Sequence, residues 1–173
     1  ILESGRMSAI MIKDRYARCP RGEADRELSE DGDARELPCA AGGRTLVIGL
    51  GNPLVSDDSV GLRVVEQLKP LFAGRRDVDV VEDYWGGLRL MERMIGYCRA
   101  VVIDATCTGA DPGTIHHLST DSIATQKSAS AHDVNLPTAL AFGRQAGALL
   151  PADEDVQLIG IEAEDLVNFN EQC

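Results

Sequence analysis

The sequence predicts a three-layer α/β fold, in which a mostly parallel, twisted sheet of five strands is flanked by helices. Two patterns predict this fold. Short apolar runs alternate along the chain with segments that have helical periodicity. The first of these runs, residues 45–50, lacks polar alternation, which is typical of a strand buried on both faces of a parallel sheet.

Each strand is predicted from a short apolar run whose ends carry glycine, proline or charged residues. The five predicted strands are 45–50, 78–83, 100–104, 114–118 and 156–161. The run at 114–118 is short and follows a proline-glycine turn. We therefore interpret it as an antiparallel strand at the edge of the sheet.

Three helices connect these strands. The first is predicted over residues 58–69, where Ser56 or Asp57 can cap its start and Pro70 ends it. Apolar residues at helical spacing between Leu88 and Cys98 predict the second. The third opens at Pro137 and extends to about residue 147, because proline favours the first turn of a helix.

Composition and charge exclude several classes of protein. Hydrophobic residues make up 44% of the 173 residues and charged residues 26%, which is typical of a globular domain without membrane helices. The net charge is −11, so nucleic acid and anionic membrane surfaces are unfavourable partners. The five cysteines are odd in number and form no CxxC pair. This pattern favours reduced thiols in a cytoplasmic protein over a disulfide framework or a zinc site.

The chain divides into an extension and a domain. Residues 1–6 precede the first methionine, and we interpret them as a remnant of an expression vector. Residues 7–43 are rich in charged residues, glycine and proline without apolar periodicity, which predicts a disordered extension. Residues 44–173 form the predicted domain. They carry 10 basic and 19 acidic side chains, so most of the net charge belongs to the domain.

Several polar side chains follow the predicted strands at their carboxyl ends, where open α/β sheets bind ligands. They are Asp57, Asp58, Asp83, Asp104 and the pair His132-Asp133. Each also has a purely structural interpretation. An aspartate in the first turn of a helix is favoured by the helix dipole, and an aspartate at a strand end can accept backbone N–H bonds. His116 and His117 alternate along an edge strand, so at most one of them points inward.

The glycine-rich turn after the first strand reads GLGNPL at residues 49–54. It lacks the third glycine of a dinucleotide-binding motif, and Pro53 interrupts the expected start of a helix. The sequence also contains no GxxxxGK[ST], GxSxG or HExxH motif. These absences disfavour nucleotide binding, serine-hydrolase chemistry and a zinc protease.

Taken in order, these motifs resemble the [NiFe]-hydrogenase maturation proteases. Residues 46–61 read LVIGLGNPLVSDDSVG, which is similar to the opening of that family. The later pieces agree in order: Gly86-Gly87, Ile103-Asp104-Ala105, the DPGTI run at 111–115, Ser130-Ala131-His132 and Ile159-Gly160-Ile161. The resemblance covers about residues 44–162 and implies a phosphorylase/hydrolase-like sheet arrangement.

The resemblance implies an endopeptidase that removes a C-terminal extension from the hydrogenase large-subunit precursor after nickel insertion. By motif position it assigns Asp58, Asp104 and His132 as metal ligands, and Asp58 and Asp104 as catalytic carboxylates. The implied metal is nickel, carried by the substrate. Oxygen and imidazole donors suit Ni(II), whose affinity for such sites is high among divalent ions. Hydrolysis could use the nickel to polarise a carbonyl or a water, or a carboxylate as general base.

The chain departs from the family pattern in three places. The first metal position is commonly glutamate, whereas Asp58 is one methylene shorter. Tyr84-Trp85 separate the acid that ends the second strand from the glycine pair. The chain ends at Cys173, where relatives continue into another helix, so we expect a C-terminally truncated domain.

Two other functions compete with the protease interpretation. A peptidyl-tRNA hydrolase has a similar GLGNP opening, but it needs an early histidine and a basic face. Here the first histidine is His116 and the charge is strongly negative. A non-catalytic nickel-recognition chaperone of the large subunit is the second alternative. Testing for a released C-terminal peptide separates these functions.

Overall fold

A computed structural model describes residues 43–55, 57–120, 135–164 and 166. Five strands form one sheet in the spatial order β2-β1-β3-β5-β4. Their bounds are β1 Thr45–Leu50, β2 Val78–Asp83, β3 Arg99–Thr106, β4 Ile115–Leu118 and β5 Val156–Glu162. Each predicted strand is therefore present, with ends that differ by at most two residues from the prediction.

Strand pairing makes the sheet mostly parallel. β1 runs parallel to both β2 and β3, and β3 runs parallel to β5. β4 pairs antiparallel with β5 at the edge, as its short run and preceding turn indicated. Because four strands share one direction, their carboxyl ends meet at a single edge of the sheet.

Helices cover both faces of this sheet, which confirms the three-layer fold. The helices are α1 Val60–Leu68, α2 Gly87–Met94 and α3 Leu136–Gln145. α1 packs on one face, where Val64 and Val65 join a cluster with the buried side chains of β1 and β3. α2 and α3 pack on the opposite face through residues that include Met94 and Leu140. Both clusters are mostly aliphatic, and their burial provides the main stabilisation of the fold.

Two glycines allow α1 to lie directly on the sheet. A Cβ atom at Gly61 would lie 2.2 Å from the carbonyl oxygen of Leu50 and 2.4 Å from that of Ile103. A Cβ atom at Gly49 would lie 2.2 Å from the carbonyl oxygen of Gly61. Side chains at either position would push the helix away. This close approach holds the turn before α1, which contains Asp58, against the ends of β1 and β3.

Helix boundaries differ from the predictions for local reasons. The predicted start at residue 58 is a 3₁₀ turn, Asp57–Ser59, and α1 begins at Val60. α2 ends at Met94 because Ile95 is extended. α3 starts at Leu136, where the side chain of Asn135 caps it by accepting the Thr138 N–H at 2.9 Å. Ser56, the other predicted cap, lies outside the described residues.

The remaining sequence predictions are only partly within the described ranges. All but the last residue of the predicted extension 1–43 lies outside them, so the disorder predicted for residues 7–43 stays a prediction. Cys98 is buried and Cys107 is exposed. No helix in the described part of the chain is long and apolar enough to cross a membrane.

Candidate active site

An open cavity of about 500 Å³ lies at the carboxyl edge of the sheet, between the turn that follows β1 and the segment that follows β2. Asp58 and Asp104 both line it. The other lining residues are Leu50, Gly51, Asn52, Pro53, Leu54, Tyr84, Trp85 and Gly86. Two carboxylates from distant parts of the sequence thus meet in one cavity.

The turn after β1 folds around the carboxylate of Asp58. The backbone N–H of Asn52 donates to Oδ2 of Asp58 at 2.9 Å. The side chain of Asn52 in turn accepts the N–H of Leu54 at 3.0 Å. These bonds fix the GNPL segment as one wall of the cavity. They also explain why asparagine and an acid occur together in this turn, since each satisfies a backbone donor.

Asp104 lies two residues before the end of β3 and is only partly exposed. Burial raises the pKa of Asp104 to about 6, the N–H of Ala105 opposes that rise, and the negative charge of Asp58 adds to it. The Ala105 N–H donates to Oδ1 at 2.9 Å. A carboxyl group with a pKa this close to neutrality can exchange a proton under physiological conditions. Perturbed carboxyl groups in clefts often mark functional sites.

The third predicted ligand, His132, and its neighbour Asp133 lie outside the described residues. Within the described ranges, no three side chains of histidine, cysteine, aspartate or glutamate are grouped so that they could hold a metal ion. The structure therefore brings Asp58 and Asp104 together. The metal-binding role of Asp58, Asp104 and His132 stays a prediction.

Asp57 and Asp83, also considered from sequence, do not line this cavity and make structural contacts instead. The carboxylate of Asp57 accepts the backbone N–H of Glu164 at 3.1 Å and ties the turn before α1 to the segment after β5. Asp83 is buried, and its carboxylate accepts the N–H of Tyr84 at 2.7 Å and the Nε–H of Arg93 at 2.6 Å. Asp83 therefore holds the start of the segment that forms the second wall.

A buried carboxylate that the sequence analysis missed is Glu162, the last residue of β5. It accepts bonds from the N–H of Thr108 at 2.6 Å and that of Gly109 at 2.7 Å. The Thr108 hydroxyl also donates to it at 2.9 Å, and Nε2 of His116 lies 3.0 Å away. Burial alone would raise the pKa of Glu162, but these hydrogen bonds outweigh it and hold the pKa below its usual range.

The Glu162 cluster fastens the loop after β3 to the end of β5. His116 is only partly exposed and contacts Glu162, whereas His117 is exposed, so one histidine of the pair points inward. The signal for Glu162 was present in the sequence. Like Asp104, it is a carboxylate that directly follows a buried apolar strand, and such a charge needs partners.

Comparisons with known proteins agree with this architecture. The family model for the hydrogenase maturation protease HycI matches residues 62–169. This chain belongs to the hydrogenase maturation protease family. The matched range contains Asp104 and His132 and begins just after Asp58.

Individual relatives of this maturation protease family member are about a quarter identical to it over the aligned residues. The hydrogenase expression/formation protein HupD from Thiocapsa roseopersicina is 28% identical over 127 residues, which cover 72% of this chain and 56% of HupD. The hydrogenase 2 maturation protease from Escherichia coli is 26% identical, with coverage of 71% of this chain and 75% of the relative. The chain spans less than two thirds of the length of the first curated relatives that it matches.

Solved structures with the same fold include the hydrogenase maturating endopeptidase HybD from E. coli. Its TM-score is 0.59 at 28% identity, and the match covers 72% of this family member and 76% of HybD. The maturation protease HycI from Thermococcus kodakarensis has a TM-score of 0.57 at 24% identity, with 75% and 80% covered. The second likeness supports the fold alone.

Proposed function

We propose that this chain is an endopeptidase that removes the C-terminal extension of a [NiFe]-hydrogenase large-subunit precursor after nickel has been inserted. One observation carries the proposal beyond family membership. Asp58 and Asp104 line one open cavity at the carboxyl edge of the sheet. A cavity of this size lies within the range of peptide and small-ligand sites, about 300–1,000 Å³.

We assign recognition of the substrate's nickel to Asp58, Asp104 and His132. The two carboxylates supply oxygen donors, and the histidine would supply an imidazole nitrogen. Three protein ligands leave coordination positions open, so the ion can remain attached to the precursor. The substrate would then be anchored by its own metal, and a precursor without nickel would lack that anchor.

The raised pKa of Asp104 sets an expectation for the chemistry. With a pKa of about 6, this carboxyl group is largely ionised at pH 7, and only the ionised form binds a cation or accepts a proton from water. The substrate's nickel would polarise the scissile carbonyl or a water molecule. Nickel binding and proton acceptance both weaken when Asp104 is protonated. The kcat/KM for cleavage, which reports the pKa of the chain before substrate and nickel bind, should therefore decline as the pH falls through about 6.

Precursor processing on gels tests this proposal. The parent chain should cut nickel-loaded precursor and leave nickel-free precursor intact. Asp104→Asn removes a charge at constant shape and should slow cleavage by about a hundredfold or more, the usual contribution of a positioned acid or base. His132→Ala removes a neutral donor and should have a smaller effect. Asp111→Asn, at an exposed carboxylate outside the cavity, is the matched control and should behave like the parent.

Two results would contradict the proposal. Efficient cutting of nickel-free precursor by the parent chain would remove the recognition role of the metal. Full activity of Asp104→Asn would remove that residue from the site.

A further inference from the structure

The cavity has an acidic floor and an apolar rim. Asp58 and Asp104 are partly buried within it, whereas three of the large apolar side chains that line it are strongly exposed. Leu54 is 67% exposed, Tyr84 56% and Trp85 55%. We call these three side chains the apolar rim. Large apolar groups clustered beside a cleft are typical of binding surfaces.

Both sides of the apolar rim are anchored to the fold. The N–H of Leu54 donates to the side chain of Asn52, and the backbone N–H of Asn52 donates to the carboxylate of Asp58. On the other side, the buried Asp83 accepts the Tyr84 N–H. The guanidinium of Arg89 lies over the Trp85 ring, 4.6 Å from its centroid. Surfaces that are already ordered lose less entropy when a ligand binds, so this rim is suited to recognition.

We propose that the apolar rim binds an apolar side chain of the precursor's C-terminal extension and so determines which precursor the chain processes. This inference rests on the proposed function. The distribution of charged and apolar groups in the cavity indicates which ligand it binds. The floor carries two carboxylates, which suit a metal-bearing chain segment. The rim is mainly apolar contact surface, with the Tyr84 hydroxyl and the Trp85 indole N–H as its polar side-chain groups. A peptide that anchors its metal on the floor therefore places its neighbouring side chains against the rim.

The segment concerned lies within the first residues of the extension. Four residues of extended chain span at most about 13–14 Å. A sphere of about 500 Å³ is only about 10 Å across, so four residues are enough to reach from the floor to the rim. The extension is the part that is cut away, so its side chains can differ between precursors without affecting the mature hydrogenase. Recognition at the rim would thus supply specificity that the metal, common to all substrates, does not supply.

Cleavage kinetics test the proposal with two nickel-loaded precursors. In one, the first four residues after the scissile bond include apolar side chains. In the other, those side chains are replaced by serine. The parent chain should have a kcat/KM at least about tenfold higher for the apolar precursor, because one apolar group in a pocket changes discrimination by about 10–200-fold. Trp85→Ala should reduce this ratio to less than about threefold.

Leu88→Ala provides the matched control. Leu88 is also an exposed apolar residue near the start of α2, but it does not line the cavity. This variant should retain the parental preference. If Trp85→Ala also retains the full preference, or if the parent has none, the rim is not the specificity site and the proposed protease function still stands.

Fluorescence separates binding from cutting. Trp85 is the only tryptophan of the chain, so its emission reports directly on the rim. A tryptophan-free peptide of the apolar extension should shift the emission to the blue, whereas the serine peptide should not. A shift without cleavage of either precursor would support the rim and overturn the protease function. The absence of a shift with the apolar peptide would overturn the rim proposal. A shift that depends only on protein concentration would also overturn it, because it would mean that a second copy of this chain covers the rim.

Discussion

Replacing Asp104 with asparagine should stabilise the folded chain at neutral pH, although the same change damages the proposed site. Burial raises the pKa of Asp104 from 3.8 to about 6 in the folded state. The folded state therefore binds this proton more tightly than the unfolded state. The contribution of Asp104 to the stability of the parental chain should be lost as the pH rises from about 4 to about 6, because folding then opposes ionisation of the group.

The size of the effect follows from the shift in pKa. Two units correspond to about 3 kcal/mol of unfolding free energy, which is the cost of holding Asp104 ionised at pH 7 and above. Asparagine has nearly the same shape, still accepts the Ala105 N–H, and carries no charge at any pH. Asp104→Asn should thus equal the parent near pH 3.5 and exceed its stability by up to about 3 kcal/mol near pH 8.

Urea unfolding in the presence of a chelator, at about one-unit steps between pH 4 and 8, measures this difference. The chelator removes bound metal, which would stabilise the parent by a separate mechanism. Asp111→Asn, which removes an exposed charge, should show no comparable trend. A difference between Asp104→Asn and the parent that does not grow with pH, or a less stable variant at pH 8, would refute the reasoning.

Three further predictions concern the scaffold. Gly61→Ala should lower the unfolding free energy by about 1–3 kcal/mol or more in chemical denaturation, because its methyl group would meet two backbone oxygens. The control Gly86→Ser, in open space at a helix N-cap, should change the unfolding free energy little. Glu162→Ala should lower the melting temperature more than Glu162→Gln, since glutamine retains part of the hydrogen bonding to the loop after β3; equal losses in a thermal melt would contradict that role. Deleting residues 1–43 should leave a folded domain that loses less than about 2 kcal/mol, and a larger loss in urea unfolding would mean that the extension packs on the domain.

Local patterns were sufficient to predict the strands and the fold class. The bounds of β1 and β2 agree with the prediction at both ends, because their apolar runs are enclosed by clear breaks. The edge strand β4 was predicted from its length and the turn before it. The spatial order of the strands was not predicted, since it depends on packing between residues that are distant in sequence. The start of α3 was predicted one residue late because the prediction used Pro137 as the first helical residue, whereas the helix begins at Leu136, directly after its cap Asn135.

The candidate site was predicted in part. Asp58 and Asp104 were selected because they follow buried strands, and the structure brings them to one cavity. The same rule also selected Asp57 and Asp83, which make structural contacts. Sequence position alone does not distinguish the two carboxylates that line the cavity from the two that do not. The difference depends on the direction of each side chain and on the hydrogen-bond donors near it. Glu162 was overlooked although it satisfies the same rule at the end of β5.

Mass spectrometry of the products of one reaction tests the central claim most directly. The parent chain is incubated with nickel-loaded large-subunit precursor, and the products are analysed for a released peptide. We expect a single C-terminal peptide and a correspondingly shorter large subunit, both formed at least about a hundredfold more slowly when Asp104→Asn replaces the parent. A stable complex between the parent chain and intact precursor, with no peptide released, would contradict the protease function and favour a chaperone that recognises nickel without cutting.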